Sequence, residues 1–498
     1  MPFELLRIPL FTFAERQVKL WAYGASYYSR PQSCLVAESL LLGSSFRSHQ
    51  VSRPGLTAEG SNATDAVAPR RFAHSLRWAI GALLFTSTVI NYLDRQTLSI
   101  LAPFLKVDFH WTNTDYAAIV IAFRIAYSLG QTVCGRLIDR VGTRRGITMT
   151  VAAYSVASML TPLARGLHSF AFFRFLLGAG ESANWPAATK AVSEWFPKSE
   201  RGLATALFDS GSSIGGALAP FLVLGIYTRW GWRPAFIVPG MLGILWLILW
   251  RWLYHPPETH PFISEQERSM ILADRPSIAS QPKARLRWRE LLKIPQTWGV
   301  IVARTFTDPV WFFITDWFPI YLIAKGFDLR GSLIAVWVPF IAADLGNFAG
   351  GAATGYLIKR GWTVGNARKG VVVAGGFGMT LLIPAIFSAN LYVITALFAL
   401  STFFYASFST IAHVLPTDLF PNHLVASVSG LGGTGSGLGT IVAFLLVGRL
   451  ADAHQAAATH SFDSILVAGG VIPFVGMLLV LLLVRNNRFT DQGLTRRI

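Results

Sequence analysis

The chain has 498 residues, 52% of them hydrophobic and 14% charged, and a mean hydropathy of +0.46, proportions that exclude a soluble globular protein. Its formal net charge of +17 comes from Lys and Arg gathered in short segments between apolar runs, which is the positive-inside pattern of a polytopic membrane protein and not a nucleic-acid patch. Two cysteines, Cys34 and Cys134, lie far apart, so neither a disulfide framework nor a metal cluster can be built from them.

Residues 1–74 form a mixed segment whose most apolar stretch, CLVAESLLLG, is interrupted by Glu38 and lies too far from the start for an ordinary signal peptide. They are expected to be a poorly ordered cytosolic extension, with a true start further downstream as the alternative. From Trp78 onward come twelve apolar stretches, at 78–101, 115–138, 146–165, 170–194, 202–228, 233–254, 297–324, 331–358, 370–388, 391–413, 423–449 and 463–485. Each is near the ~20 residues that cross a ~30 Å hydrocarbon core as a helix. The expected fold is therefore all-α and polytopic, with twelve transmembrane helices.

The longest polar connection, 255–296, is basic and divides six spans (75–254) from six (297–488). The segments PRRFAHSLR, RLIDRVGTRRG, the central connection, KRGWTVGNARKG and the tail at 489–498 are all rich in Lys and Arg, and an even number of spans puts them on one side. Both termini are then expected in the cytosol. The halves also repeat: GRLIDRVGTRRG at 135–146 follows the second span, and GYLIKRGWTVGNARKG at 355–370 follows the eighth. Parallel six-helix halves are one recognised transporter architecture.

GRLIDRVGTRRG resembles the loop motif of the major facilitator superfamily. INYLDRQTLSILAP, FFRFLLGAGESANWPAATKAVSEWFPKSERGLATALFDSGSSIGGALAP, FTDPVWFF, IAADLGNFAGG and GYLIKRG narrow the likeness to the anion:cation symporter family, most of all its hexuronate and aldonate members. The likeness covers roughly residues 75–488. It implies a proton-coupled symporter that imports a small organic anion, a sugar acid, by alternating access in a bacterial inner membrane. It also implies no cofactor beyond the proton gradient, no nucleic-acid partner and a monomer in the bilayer. The alternatives are a carrier of another carboxylate, such as tartrate or an aromatic acid, and a non-transporting sensor on the same scaffold. No nucleophile–base set, HExxH, GxSxG or Walker motif points to an enzyme, and GLGGTGSGLG at 430–439 reads as close helix packing.

The residues themselves carry a charged constellation. Asp94 and Arg95 sit inside the first span, and ionisable groups at membrane depth usually line a cavity. Arg174 and Glu181, seven apart, fall within about 20° of one face of the fourth span. Arg95 offers a planar fork matched to a carboxylate, while Asp94 and Glu181 can carry protons. The resemblance implies the same division: Asp94 and Glu181 as protonation positions, Arg174 as the arginine paired with them, and Arg95 as the substrate-binding arginine. Without it, a static ion-pair network that only fixes packing stays open.

Tyr92, Tyr127, Asp209, Ser210, Ser212, Trp311, Asn347 and Ser409 are candidate hydroxyl readers or sugar-packing groups, with Asp308, Asp316 and Asp344 as further polar groups at membrane depth. Ser213, Gly215 and Gly216 are expected to serve packing, and His413 to be a hydrogen-bonded structural histidine near the cytosolic end, with a second titratable site as the alternative. Gly135, Asp139, Arg140, Gly142, Arg144 and Arg145 belong to the cytosolic loop motif, which by the resemblance latches neighbouring helix ends in the outward-open state.

Overall fold

The computed structural model describes residues 76–273, 286–327, 333–453 and 463–484. The expectations for residues 1–74, for the middle of the central connection and for the tail lie outside them, as does the side chain of Asp316.

The first half comprises α1 (Leu76–Asp108), α2 (Asn113–Val141), α3 (Thr143–Leu160), α4 (Leu167–Glu181), α5 (Asn184–Trp195), α6 (Arg201–Trp230) and α7 (Trp232–Leu253). Two short helices, α8 (Glu265–Ala273) and α9 (Trp288–Leu291), lie in the connection. The second half comprises α10 (Pro295–Ala324), α11 (Leu333–Lys359), α12 (Val364–Met379), α13 (Leu391–Leu419), α14 (Val425–Ala453) and α15 (Asp463–Leu483). Among the described residues there is no strand, as membrane-spanning backbone requires when every N–H must be satisfied within its own segment. Nine of these helices meet the length and apolarity needed to cross a membrane. The α4–α5 pair, α10 and α11 occupy the other three of the twelve expected places.

Local chemistry sets the ends. Thr112 and Asp115 form a reciprocal capping box at the start of α2, the Thr112 side chain accepting from the Asp115 N–H and Asp115 accepting from the Thr112 N–H. Gly142, at φ 85°, ends α2 and turns directly into α3, a conformation an L side chain resists. The fourth span differs from the continuous helix expected over 170–194. It breaks at Ser182 and Ala183, because Pro186 has no N–H to return to the Ser182 carbonyl. Asn184 tethers the break to α1, its side-chain amide donating to Thr88 Oγ1 and its oxygen accepting from Ser87 Oγ. Glu181 is thereby left at a helix end inside the bundle.

Each half has its own apolar core. Leu84, Ile147, Tyr154, Trp195 and Trp250 pack together in the first half, with a second cluster around Leu105, Phe170 and Trp232 at the other end of the same helices. Phe318, Phe398, Phe408 and Met477 belong to the core of the second half. The halves meet where small residues let backbones touch. A Cβ on Gly135 would stand 2.2 Å from the Ala426 carbonyl oxygen, and Gly433 and Gly437 of the 430–439 stretch lie against Gln131 and Ser128. The glycine-rich stretch is a helix–helix contact, as its sequence suggested.

Candidate functional site

Between the halves lies a cavity of about 890 Å³, lined from α1, α2, α4, α5, α6, α10, α11, α13 and α14. Its lining reaches Val120 near the start of α2 and Trp337 near the start of α11, but stops at Gln131 and Asn347, well short of the basic loops. It therefore opens at the end away from those loops and is shut at their end.

On the first-half wall Arg95 stands in an aromatic cage, its guanidinium carbon 4.8, 5.2 and 4.6 Å from the ring centres of Tyr92, Phe123 and Tyr127. The packing holds the fork against the Glu181 carboxylate, to which Arg95 Nη2 and Nε donate at 3.0 and 3.3 Å, with Nη2 also donating to the Asn91 side-chain oxygen at 3.5 Å. Arg95 keeps 24% of its side-chain surface exposed to the cavity, whereas Glu181 is fully buried and its Oε1 has no hydrogen-bond partner. Arg174 also lines the cavity, with Nε and Nη2 buried and unpartnered and the guanidinium 5.6 Å from the Phe236 ring. Asp94 lies behind this layer, off the cavity wall, accepting from Ser158 Oγ at 2.5 Å.

This corrects the expected pairing. Glu181 holds Arg95 and not Arg174, because the helix break ends α4 at Glu181 and aims its carboxylate across at α1. Arg174 remains within electrostatic reach of both Glu181 and Asp94 but contacts neither as an ion pair.

A second charged set comes from the second half together with Asp209 of α6. Arg304 and Asp308, one turn apart on α10, form a buried pair at 3.1 Å, and Asp308 also accepts from Ser436 Oγ. Asp209 lies within reach of the fields of Arg304, Asp308 and Asp344, and Asp344 accepts from Ser213 Oγ at 2.8 Å. His413 stacks on Trp185, Nδ1 bonding the Ser409 carbonyl at 3.0 Å and lying 3.7 Å from Asp209; its Nε2 is buried without a partner.

Of the expected readers, Tyr92, Tyr127, Asp209, Ser212, Trp311, Asn347 and Ser409 line the cavity. Ser210 does not: it is buried and donates to the Leu207 carbonyl at 2.8 Å, since the turn of α6 points it away. Ser213 and Gly216, expected to serve packing, line the cavity instead, while Gly215 does pack, a Cβ there meeting the Val89 carbonyl at 2.6 Å. Arg304 escaped the sequence reading, although its spacing of four from Asp308 inside an apolar span was the available signal.

At the shut end Asp139 accepts from the backbone N–H of Ala426 and Ser427 at the start of α14, at 3.3 and 2.7 Å, and pairs with Lys190 at 2.8 Å. A carboxylate at a helix N-terminus is favourably placed against the exposed N–H groups and the helix dipole. The rest of the motif behaves differently. Arg144 donates to the Arg251 carbonyl within its own half, and Arg140 and Arg145 are exposed, so the link between halves runs through Asp139 and the close approach at Gly135. A second clasp was not foreseen: Asp418 at the end of α13 receives Arg201 Nη1 at 3.1 Å and Arg368 Nε at 2.9 Å, joining α6 of one half to α12 and α13 of the other.

Comparison with known proteins agrees with this architecture. The profile of the Major Facilitator Superfamily matches residues 84–377. The hexuronate transporter of Escherichia coli strain K12 is 31% identical over 417 residues, 82% of this chain and 94% of that protein. A probable galactarate/D-glucarate transporter of the same strain is 30% identical over 438 residues, 84% of this chain and 97% of that protein. Among solved structures, the proton:xylose symporter XylE superposes with a TM-score of 0.66 at 14% identity, over 86% of this chain and all of the other. The chain belongs to the major facilitator superfamily.

Proposed function

We propose that this protein is a proton-coupled symporter that imports a sugar acid, a hexuronate or aldonate, by alternating access. In this reading it spans a bacterial inner membrane, with the basic-loop end in the cytosol and the cavity open to the outside. The relatives named for sugar acids support the substrate class. The observation that carries the coupling is the Arg95–Glu181 pair at the cavity wall.

The physical logic is competition for one fork. A substrate carboxylate binds best to the two parallel donors of Arg95, and those donors are engaged by Glu181. Protonating Glu181 removes its charge and frees the guanidinium, so the substrate binds the protonated carrier. Deprotonation restores the pair and ejects the substrate. Asp94, buried behind with Ser158, and Arg174, with free donors between the two acids, form the relay along which the proton moves. The hydroxylated carbon chain packs on Tyr92, Tyr127 and Trp311, while Ser212, Asn347 and Ser409 meet its hydroxyls. The Asp139 and Asp418 clasps hold the cytosolic end shut until the loaded carrier reorients.

The test is uptake of labelled galacturonate into proteoliposomes under an imposed inward proton gradient, with and without a protonophore. Accumulation abolished by the protonophore is expected. Uptake that only equilibrates, or none from any of galacturonate, glucuronate, galactonate and gluconate, would overturn the reading.

A further inference from the structure

The cavity is electrically lopsided. On the first-half wall three arginines, Arg95, Arg124 and Arg174, line the space, while the acids beside Arg95 and Arg174 sit behind: Glu181 is fully buried and Asp94 is off the wall. Asp209 of α6, in the same half, and Asp308 and Asp344 of the second half also line the cavity, where Asp308 already holds Arg304 and Arg124 of α2 lies over the Phe312 ring of α10. Beside them His413 offers a lone ring nitrogen. It is 6% exposed, and with Nδ1 donating to the Ser409 carbonyl its Nε2 is an acceptor with nothing to accept from.

We infer that the wall of Asp209, Asp344 and His413 receives the hydroxyl end of the substrate and rejects a second carboxylate there, making the carrier selective for hexuronates and aldonates over aldarates. A sugar hydroxyl is a donor to Asp209 Oδ1 and His413 Nε2, both buried and unpartnered. A terminal carboxylate in the same place has no proton to give and meets the like charges of Asp209 and Asp344. Specificity here comes from the repulsive element as much as from the attractive one. The orientation follows: carboxylate at Arg95, carbon chain across the cavity, terminal hydroxyls at α6, α11 and α13. This inference rests on the sugar-acid reading and goes beyond it in naming the residues that discriminate within that class.

The experiment is calorimetric titration of the purified full-length protein in detergent, with galacturonate, galactonate, galactarate and glucarate and no proton gradient. The two monocarboxylates are expected to bind at least about tenfold more tightly than the two dicarboxylates, the effect of a like charge a few ångströms away in a partly dehydrated site. Asp344→Asn, which keeps an acceptor for Ser213 and lies at a half-buried position, should narrow that gap by about tenfold through tighter galactarate binding. Asp209→Asn is the second variant, so that misfolding of one does not end the test. Equal affinity for galacturonate and galactarate would overturn the inference and leave the sugar-acid reading standing, as would a gap that both variants leave unchanged. Failure of all four acids to bind would overturn the sugar-acid reading and this inference with it.

Discussion

Replacing Glu181 with Gln tests the competition between proton and substrate most directly. Glutamine keeps the shape of the side chain and can still accept from Arg95, but it carries no charge and does not titrate. In the native protein, substrate must displace a buried carboxylate that receives two donors from Arg95, at 3.0 and 3.3 Å. A hydrogen bond to a charged group contributes about 1.5–3 kcal/mol, so removing the competitor should tighten sugar-acid binding by about 10- to 150-fold at a pH where Glu181 is ionised. The sign with pH follows from linkage. If one proton must bind Glu181 before the substrate does, native affinity falls about tenfold for each pH unit above the midpoint of that protonation, and the variant shows no such slope. Titration calorimetry from pH 5 to pH 9 reads both quantities, and proteoliposomes supply the transport counterpart. Exchange of labelled for unlabelled substrate should persist in Glu181→Gln, because exchange shuttles only the loaded form, while accumulation against a gradient falls to background. A variant whose affinity is unchanged and still falls with pH would refute the competition, and retained uphill uptake would move the coupling to Asp94 or His413.

Three further outcomes are expected. Arg95→Lys keeps the charge but loses the fork and its stacking on Tyr92 and Tyr127, so binding of a sugar acid should weaken by about 1.5–3 kcal/mol in the same titration, with the thermal unfolding midpoint little changed. Asp418→Asn leaves Arg201 and Arg368 without their shared carboxylate, a loss of about 3–5 kcal/mol from the state shut at the basic-loop end. A cysteine at Ser429, buried against Thr189 across the halves, should then become reactive from that side in a background lacking Cys34 and Cys134; unchanged protection would mean that the clasp does not hold the closure. For topology, cysteines at the exposed positions Arg145 and Arg360 should label from the cytosolic face and one at His110 from the other, and labelling of all three from one face would sink the orientation.

Much of the bundle was legible because bilayer physics writes it into the chain directly. An apolar run of about twenty residues has few alternatives to a spanning helix, and the ends that the structure shows at Gly142 and at the Thr112–Asp115 box depend only on neighbouring residues. Asp94, Arg95, Arg174 and Glu181 stood out for the same reason, as charges where charge is costly. The break after Glu181 was signalled by Pro186 but hidden within a run apolar enough to read as one helix.

What the sequence by itself determined is the presence of each helix and the identity of the polar residues within it, since both follow from local transfer free energies and local backbone chemistry. Partnership was decided only by the tertiary structure. A seven-residue spacing puts Arg174 and Glu181 on one stripe, yet the fork that holds Glu181 comes from α1, and Ser210 and Ser213, three apart, end on different sides of the α6 surface. The Arg201–Asp418–Arg368 clasp joins residues separated by up to 217 positions. Such contacts depend on how helices rotate and cross when close-packed glycines and side chains set their approach, and that information is shared among segments distant in the chain.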